Sequence, residues 1–170
     1  SAGKTFGSHV FMSPRVSATY GLSDIYNSNG NFSCGGLTSS TFNSNNYTMT
    51  FAIFSASSIT QTTDFGTSTI NLTSTAAGIF WLLGHPDCLV KSRSANLVIQ
   101  TASTSSREVR IGRGTVGPLN NGFSSITYTV ASSTGTLIVR SANSGTTGVI
   151  GTLNIGSSRS LQLGSAETFA

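Results

Sequence analysis

The chain has very few charged side chains. Its 170 residues include nine Lys and Arg and five Asp and Glu, which together make up 8% of the sequence. Soluble proteins usually carry about 25% charged residues. A coiled coil and a charge-rich disordered chain both need many Glu, Lys and Arg residues, so the composition excludes both. No apolar run approaches the length that crosses a bilayer, and we expect no membrane insertion.

Helical patterns are missing as well. A surface helix repeats apolar residues at positions i, i+3, i+4 and i+7 over about eleven or more residues. Every window of that length in this chain is interrupted by Gly, Ser or β-branched residues. The sequence therefore predicts an all-β protein with little or no helix.

Hydroxyl side chains and short alternating segments are abundant instead. Ser and Thr supply roughly a third of the residues, far above ordinary usage. The clearest alternation covers residues 47–54, where Tyr47, Met49, Phe51 and Ile53 fall on one face, as in a half-buried strand. Similar segments occupy residues 68–73, 96–100, 108–111, 126–130 and 136–140. The apolar run at residues 79–83 predicts a buried strand.

The spacing of these strands favours two packed sheets. Strands that recur roughly every 8 to 15 residues are typical of a sandwich or a barrel. Residues 132–135 lie between two such segments and end in Gly135, which predicts a hairpin turn with antiparallel pairing. We therefore expect residues 1–170 to form a single antiparallel β-sandwich domain, with a jelly roll as the favoured topology.

A solenoid is the alternative fold. Glycines punctuate the apolar segments from residue 141 onward, as they do at bends and close backbone contacts. Repeat folds normally show a constant sequence period, and the spacing in this chain is uneven. The sequence therefore favours the sandwich over the solenoid.

The residues that enzymes need are scarce. The chain has two His and five acidic residues and contains no recognisable nucleophile elbow or zinc-protease motif. Only residues 84–88 bring His85, Asp87 and Cys88 together, and zinc sites normally draw ligands from two separated clusters. We expect a structural turn at this segment, no metal or other cofactor, and no enzymatic activity.

Two cysteines leave two possibilities open. Cys34 and Cys88 could form a disulfide that closes a loop of about 54 residues, stabilising the chain by about 4 kcal/mol. They could equally be two small buried thiols. Residues 1–12 lack the apolar core of a signal peptide, which fits either an unexported chain or one whose leader has been removed.

Arginine dominates the few cations. Arg107, Arg110 and Arg113 lie in the densest basic segment, where alternation places Arg110 on the face opposite the other two. Together with Lys91 and Arg93 they could converge on a phosphate or on the carboxylate of an acidic sugar. Separate solvated or interfacial arginines, with Glu108 as a partner, are the favoured interpretation. The net charge is only +4 and the chain lacks a basic N-terminal arm, so we do not expect direct nucleic-acid binding.

Aromatic residues offer another kind of contact. Tyr20 and Tyr26 flank turn-rich sequence and are the best candidates for an exposed platform that binds a ligand or an interface. Trp81 lies inside an apolar run, and we expect it to be buried.

These features together predict a structural protein. A surface rich in hydroxyls and amides can be buried against another protein with little charge desolvation. We expect a viral coat, spike or fibre-head subunit that forms homo-oligomers on a virion or an extracellular surface, with a possible cell-surface receptor. The alternatives are a carbohydrate-binding module or lectin, and a prokaryotic adhesin or pilus subunit.

Overall fold

The computed structural model describes residues 4–36, 39–57, 60–83, 88–111, 122–130, 134–141, 147–156, 160–164 and 168–169. Within these ranges every regular element is a β-strand and none is a helix, which confirms the prediction of an all-β chain. The strands form three sheets, which we call sheets A, B and C.

Sheet A contains eight strands: β1 (Thr5–Phe6), β4 (Tyr26–Ser28), β7 (Met49–Phe51), β10 (Thr69–Leu72), β13 (Asn96–Ile99), β15 (Gly122–Tyr128), β17 (Thr147–Ile155) and β19 (Thr168–Phe169). Sheet B contains seven: β2 (Val10–Met12), β5 (Phe32–Cys34), β8 (Phe54–Ala56), β11 (Gly78–Leu83), β14 (Arg107–Ile111), β16 (Leu137–Ser141) and β18 (Leu161–Leu163). Sheet C contains four: β3 (Thr19–Gly21), β6 (Thr41–Asn43), β9 (Thr62–Asp64) and β12 (Leu89–Lys91).

The chain winds through these sheets as a coil. Every strand pair in the three sheets is parallel, and each strand pairs with the strand that occupies the same place in the preceding or following coil. The first four coils visit sheets A, B and C in turn, and the described strands of the later coils belong to sheets A and B. The architecture is therefore a parallel β-helix.

The predicted antiparallel sandwich with jelly-roll topology is therefore wrong. Alternation of apolar and polar residues arises wherever one sheet face is buried and the other is exposed, and it says nothing about strand direction. Parallel strands usually read as continuous apolar runs because helices cover both faces, whereas the outer face of a coil is open to solvent. The predicted antiparallel pairing across residues 132–135 is also wrong, because β15 and β16 on either side belong to different sheets; Ser132 and Ser133 themselves lie outside the described residues.

The interior is filled by columns of side chains stacked from coil to coil. In sheet A one buried column runs through Tyr26, Met49, Ile70, Leu97 and Ile126, which are paired in register. In sheet B the rings of Phe32, Phe54 and Trp81 stack in the same way, with centroids 6.3 Å and 4.1 Å apart. The core thus lies along the axis of the coil, enclosed by the sheets.

Candidate functional site

The outer face of sheet A carries no charge. None of its eight strands contains an Asp, Glu, Lys or Arg residue. Two columns of side chains line this face, in register from coil to coil: Asn27, Thr50, Asn71, Val98, Thr127 and Asn154 in the first, and Thr69, Asn96, Ser125 and Thr152 in the second. All of these residues are partly or fully exposed. We call this surface face A.

Hydrogen bonds between coils hold the side chains of face A in place. The Asn71 amide donates to Thr50 Oγ1 over 3.3 Å and accepts from Gln100 Nε2 over 2.9 Å. Ser125 Oγ donates to Asn96 Oδ1 over 2.8 Å. These hydrogen bonds fix the side chains of the face. Each amide and hydroxyl also keeps further donor or acceptor capacity, so the face can still form hydrogen bonds outward.

Charges in the strands are confined to sheets B and C. Glu108 of β14 accepts hydrogen bonds from Arg110 Nε over 2.5 Å and from Arg140 Nε over 2.6 Å. Burial alone would raise the pKa of the Glu108 carboxyl, but the two arginines outweigh it and hold the pKa below its ordinary value. Arg110 thus forms an ion pair with Glu108. This agrees with the favoured interpretation of the basic segment, in which Glu108 is a partner of the arginines.

The three arginines of that segment do not form one site. Arg107 is fully buried on the same side of β14 as Val109 and Ile111, and Arg110 lies on the opposite side. Arg113 lies outside the described residues. The sequence correctly separated Arg107 from Arg110, but it did not reveal that Arg107 points into the core.

The two tyrosines proposed for an exposed platform differ in burial. Tyr26 is buried, with its ring stacked on Phe6 at 5.5 Å, so the expectation that it is exposed is wrong. Burial raises the pKa of its hydroxyl. Tyr20 is half-buried in β3. Trp81 is buried as expected. A tyrosine beside a turn can still point inward when the strand alternation continues through it, which explains the burial of Tyr26.

Both cysteines are buried as free thiols. Burial raises the pKa of Cys34 to about 12, although a hydrogen bond with Thr63 acts in the opposite direction. The Cys88 thiol donates to the carbonyl of Ala56 over 3.3 Å. A neutral thiol is a poor nucleophile, so Cys34 is inert at neutral pH.

A short hydroxyl chain includes one of the two histidines. His9 Nε2 lies 2.7 Å from Ser33 Oγ, which in turn lies 2.6 Å from Ser55 Oγ. The carboxylates of Asp64 and Glu108 form ion pairs with cations, and Asp24 accepts from the backbone of Ile25. Within the described ranges His9 thus lacks the carboxylate that orients a catalytic histidine.

No group of three or more metal-ligating side chains occurs in the part of the chain that the structure describes. His85 and Asp87 of the segment considered for a metal lie outside the described residues, and Cys88 lies inside the core. Within the described strands and loops there is also no helix with the length and apolarity needed to cross a membrane.

Lys91 and Arg93, two other cations singled out in the sequence, do come together. Both line a surface recess of about 160 Å³ at the end of β12. Arg93 also lines a neighbouring recess of about 330 Å³. Sequence reasoning grouped these two residues with the arginines of β14, from which the fold separates them.

Comparisons with protein-family models, with curated proteins and with solved structures found no match to this chain.

Proposed function

We propose that this chain is a non-enzymatic structural module of a surface fibre, viral or prokaryotic, that associates with copies of itself through face A. The observation that carries the proposal is the absence of charged residues from all eight strands of sheet A. Burying such a surface requires no desolvation of ions, which is the most expensive part of burying polar groups.

A second copy is the partner that the chemistry of face A fits best. Hydroxyl and amide groups both donate and accept hydrogen bonds, so two identical faces can satisfy each other. A two-fold arrangement brings the same surface of each copy together. The columns of Asn and Thr repeat along the axis, which gives several equivalent positions for pairing.

The size of face A indicates how strong the contact is. Eight strands at about 4.8 Å spacing and about 15 Å of strand length give a flat surface of about 500 Å². A stable pair of proteins usually buries about 800 Å² per partner. We therefore propose a weak contact that becomes effective when many copies lie side by side on one particle or fibre.

Light scattering after size-exclusion chromatography tests this proposal. We expect the average mass of the wild-type chain to rise with concentration. The double substitution Thr50→Lys and Thr127→Lys places two like charges on face A, and it should weaken self-association by about tenfold or more because unpaired charges would have to be buried.

The matched control carries the same change on another sheet. Thr19→Lys with Thr62→Lys adds the same charge to sheet C, and it should leave the mass profile unchanged. A chain that stays monomeric at high concentration would refute the proposal. So would an equal effect of the two double variants, since it would reflect net charge and not face A.

A further inference from the structure

Face A is a two-dimensional array of small side chains. Neighbouring positions along the coil axis are one strand apart, about 4.8 Å, and the two columns are two residues apart along each strand, about 6.6 Å. The register of the first column continues unbroken from β4 to β17. Face A therefore repeats in two directions, as the surface of a crystal does.

The side chains of the array are held in position before any ligand arrives. Threonine is β-branched, which restricts its χ1 angle. The Asn71 side chain is hydrogen-bonded to Thr50 on one side and to Gln100 on the other. The Asn154 amide donates to Thr127 Oγ1 over 3.5 Å. A ligand that matches the array would therefore bind without the cost of ordering it first.

The chemistry of the array suits an uncharged ligand. The two columns consist of Asn, Thr, Ser and Val residues alone. Their hydroxyls and amides both donate and accept hydrogen bonds, and Thr and Val add methyl groups. Val98 has the branched shape of threonine, so the surface of the first column stays even. The matching ligand is a periodic, uncharged solid whose own groups both donate and accept.

Ice is a solid of this kind. Each of its water molecules donates and accepts hydrogen bonds, and the oxygen atoms on a prism face repeat in two perpendicular directions at distances close to those of face A. A charged side chain pressed against ice would lose its hydration, and the strands of sheet A contain none. A crystalline polysaccharide fits less well, because its sugar rings expose apolar faces that stack on aromatic side chains, which the two columns lack.

We propose that face A binds ice, with its two columns placed over rows of oxygen atoms on a prism face. The hydroxyls and amides take the places of water molecules at the ice surface, and the methyl groups lie between the rows. Ice binding uses the same face as the proposed self-association but does not depend on it. Because that contact is weak, single chains keep face A open at low concentration.

Partition into slowly grown ice tests this proposal. A solute that does not bind ice stays in the liquid, so we expect enrichment of the wild-type chain in the ice fraction and slower coarsening of ice crystals in a frozen film. The double substitution Thr50→Tyr and Thr127→Tyr places two uncharged protrusions on the first column. It should lower the enrichment about tenfold or more, because a flat lattice cannot accommodate them.

Thr19→Tyr with Thr62→Tyr is the matched control, since it adds the same two rings to sheet C. It should keep the wild-type enrichment, and circular dichroism should show the same β spectrum for all variants. Three results would overturn the proposal: exclusion of the wild-type chain from ice, equal losses in the two double variants, or retention on insoluble cellulose or chitin as strong as on ice.

Light scattering at the same protein concentration separates ice binding from self-association. Enrichment in ice of a chain that stays monomeric at every concentration would support the ice site and refute the pairing of copies. Pairing without enrichment in ice would refute the ice site alone.

Discussion

Arg107 is the most unusual single residue in the core. Its side chain is completely buried, with the guanidinium carbon 4.2 Å from the ring centroid of Phe80 and 5.6 Å from that of Tyr128. Its terminal nitrogens donate to Thr101 Oγ1 over 2.8 Å and to the carbonyl of Ala102 over 3.0 Å. The aromatic faces and the hydrogen bonds replace the water that a cation loses on burial.

Replacing Arg107 should be costly. We expect Arg107→Ala to lower the free energy of unfolding by about 3 to 4 kcal/mol, because it leaves a cavity in the core, removes the contacts with two rings and breaks the hydrogen bonds to Thr101 and Ala102. Arg110→Ala should cost less than about 1 kcal/mol, since Arg110 contributes a partly exposed ion pair. Urea unfolding followed by circular dichroism measures both. Similar losses in the two variants would contradict this account of Arg107.

The burial of Arg107 could not be predicted from the sequence. Alternation correctly placed it on the same side as Val109 and Ile111, and that side proved to be the interior. The rings that receive the cation belong to strands β11 and β15, in the preceding and following coils. Local sequence contains no information about these contacts.

At the scale of the strand, two glycines with the same backbone conformation differ in their surroundings. Gly122 begins β15 with a φ of 108°, and Gly78 begins β11 with a φ of 103°. A Cβ atom on Gly122 would overlap the carbonyl of Val149 in the paired strand β17, whereas one on Gly78 would meet nothing within 4 Å. Gly122 is needed for the close approach of two coils as well as for its dihedral angle.

Substitution by alanine separates these two requirements. Gly78→Ala should cost only the backbone strain of about 1 to 2 kcal/mol. Gly122→Ala carries the same strain and must also push β15 away from β17, so we expect a total loss of about 3 kcal/mol or more. The two urea midpoints give the comparison. An equal loss would mean that the contact with Val149 is relieved without separating the strands.

Strand positions were largely predictable, but not their ends. The segments at 68–73, 96–100 and 108–111 match β10, β13 and β14, because burial of every second residue is visible locally. The segment at 47–54 instead splits into β7 and β8, because the chain turns a corner near Ala52. After the corner, the alternation of buried and exposed residues starts again with the buried side chain of Phe54. Corners of a coil interrupt alternation without any obligatory turn residue.

At the scale of the whole molecule, the pairing of strands could not be predicted from the sequence. Paired residues in sheet A lie 21 positions apart at Thr50 and Asn71, but 29 apart at Asn96 and Ser125. Coils of unequal length hide the repeat, which is why the sequence favours a sandwich over a solenoid. The same holds for the larger recess beside Arg93: residues 93 and 94 are neighbours in the sequence, while Ser124 and Val149 are supplied by later coils.

The coil should be a removable unit. Thr50 pairs with Asn71, so deleting residues 50–70 puts Asn71 in the place of Thr50 and keeps the alternation of buried and exposed positions. We expect this variant to retain a β spectrum and a cooperative thermal transition at lower stability, since repeat folds are stabilised mainly by contacts between neighbouring units.

Deleting residues 50–60 is the control, because it moves strands onto the wrong sheet. We expect this shorter deletion to abolish cooperative unfolding. If the two deletions behave alike in circular dichroism and thermal melts, the coil is not an independent structural unit.

The strands of sheet A are uncharged, and the charged residues of the strands lie in sheets B and C. The molecule therefore has one uncharged side and one side that carries ionic residues. In a pair of copies joined through face A, the ionic residues of sheets B and C face away from the seam between the two copies. Salinity would then leave the cohesion of the pair unchanged while it alters whatever the outward surfaces attract.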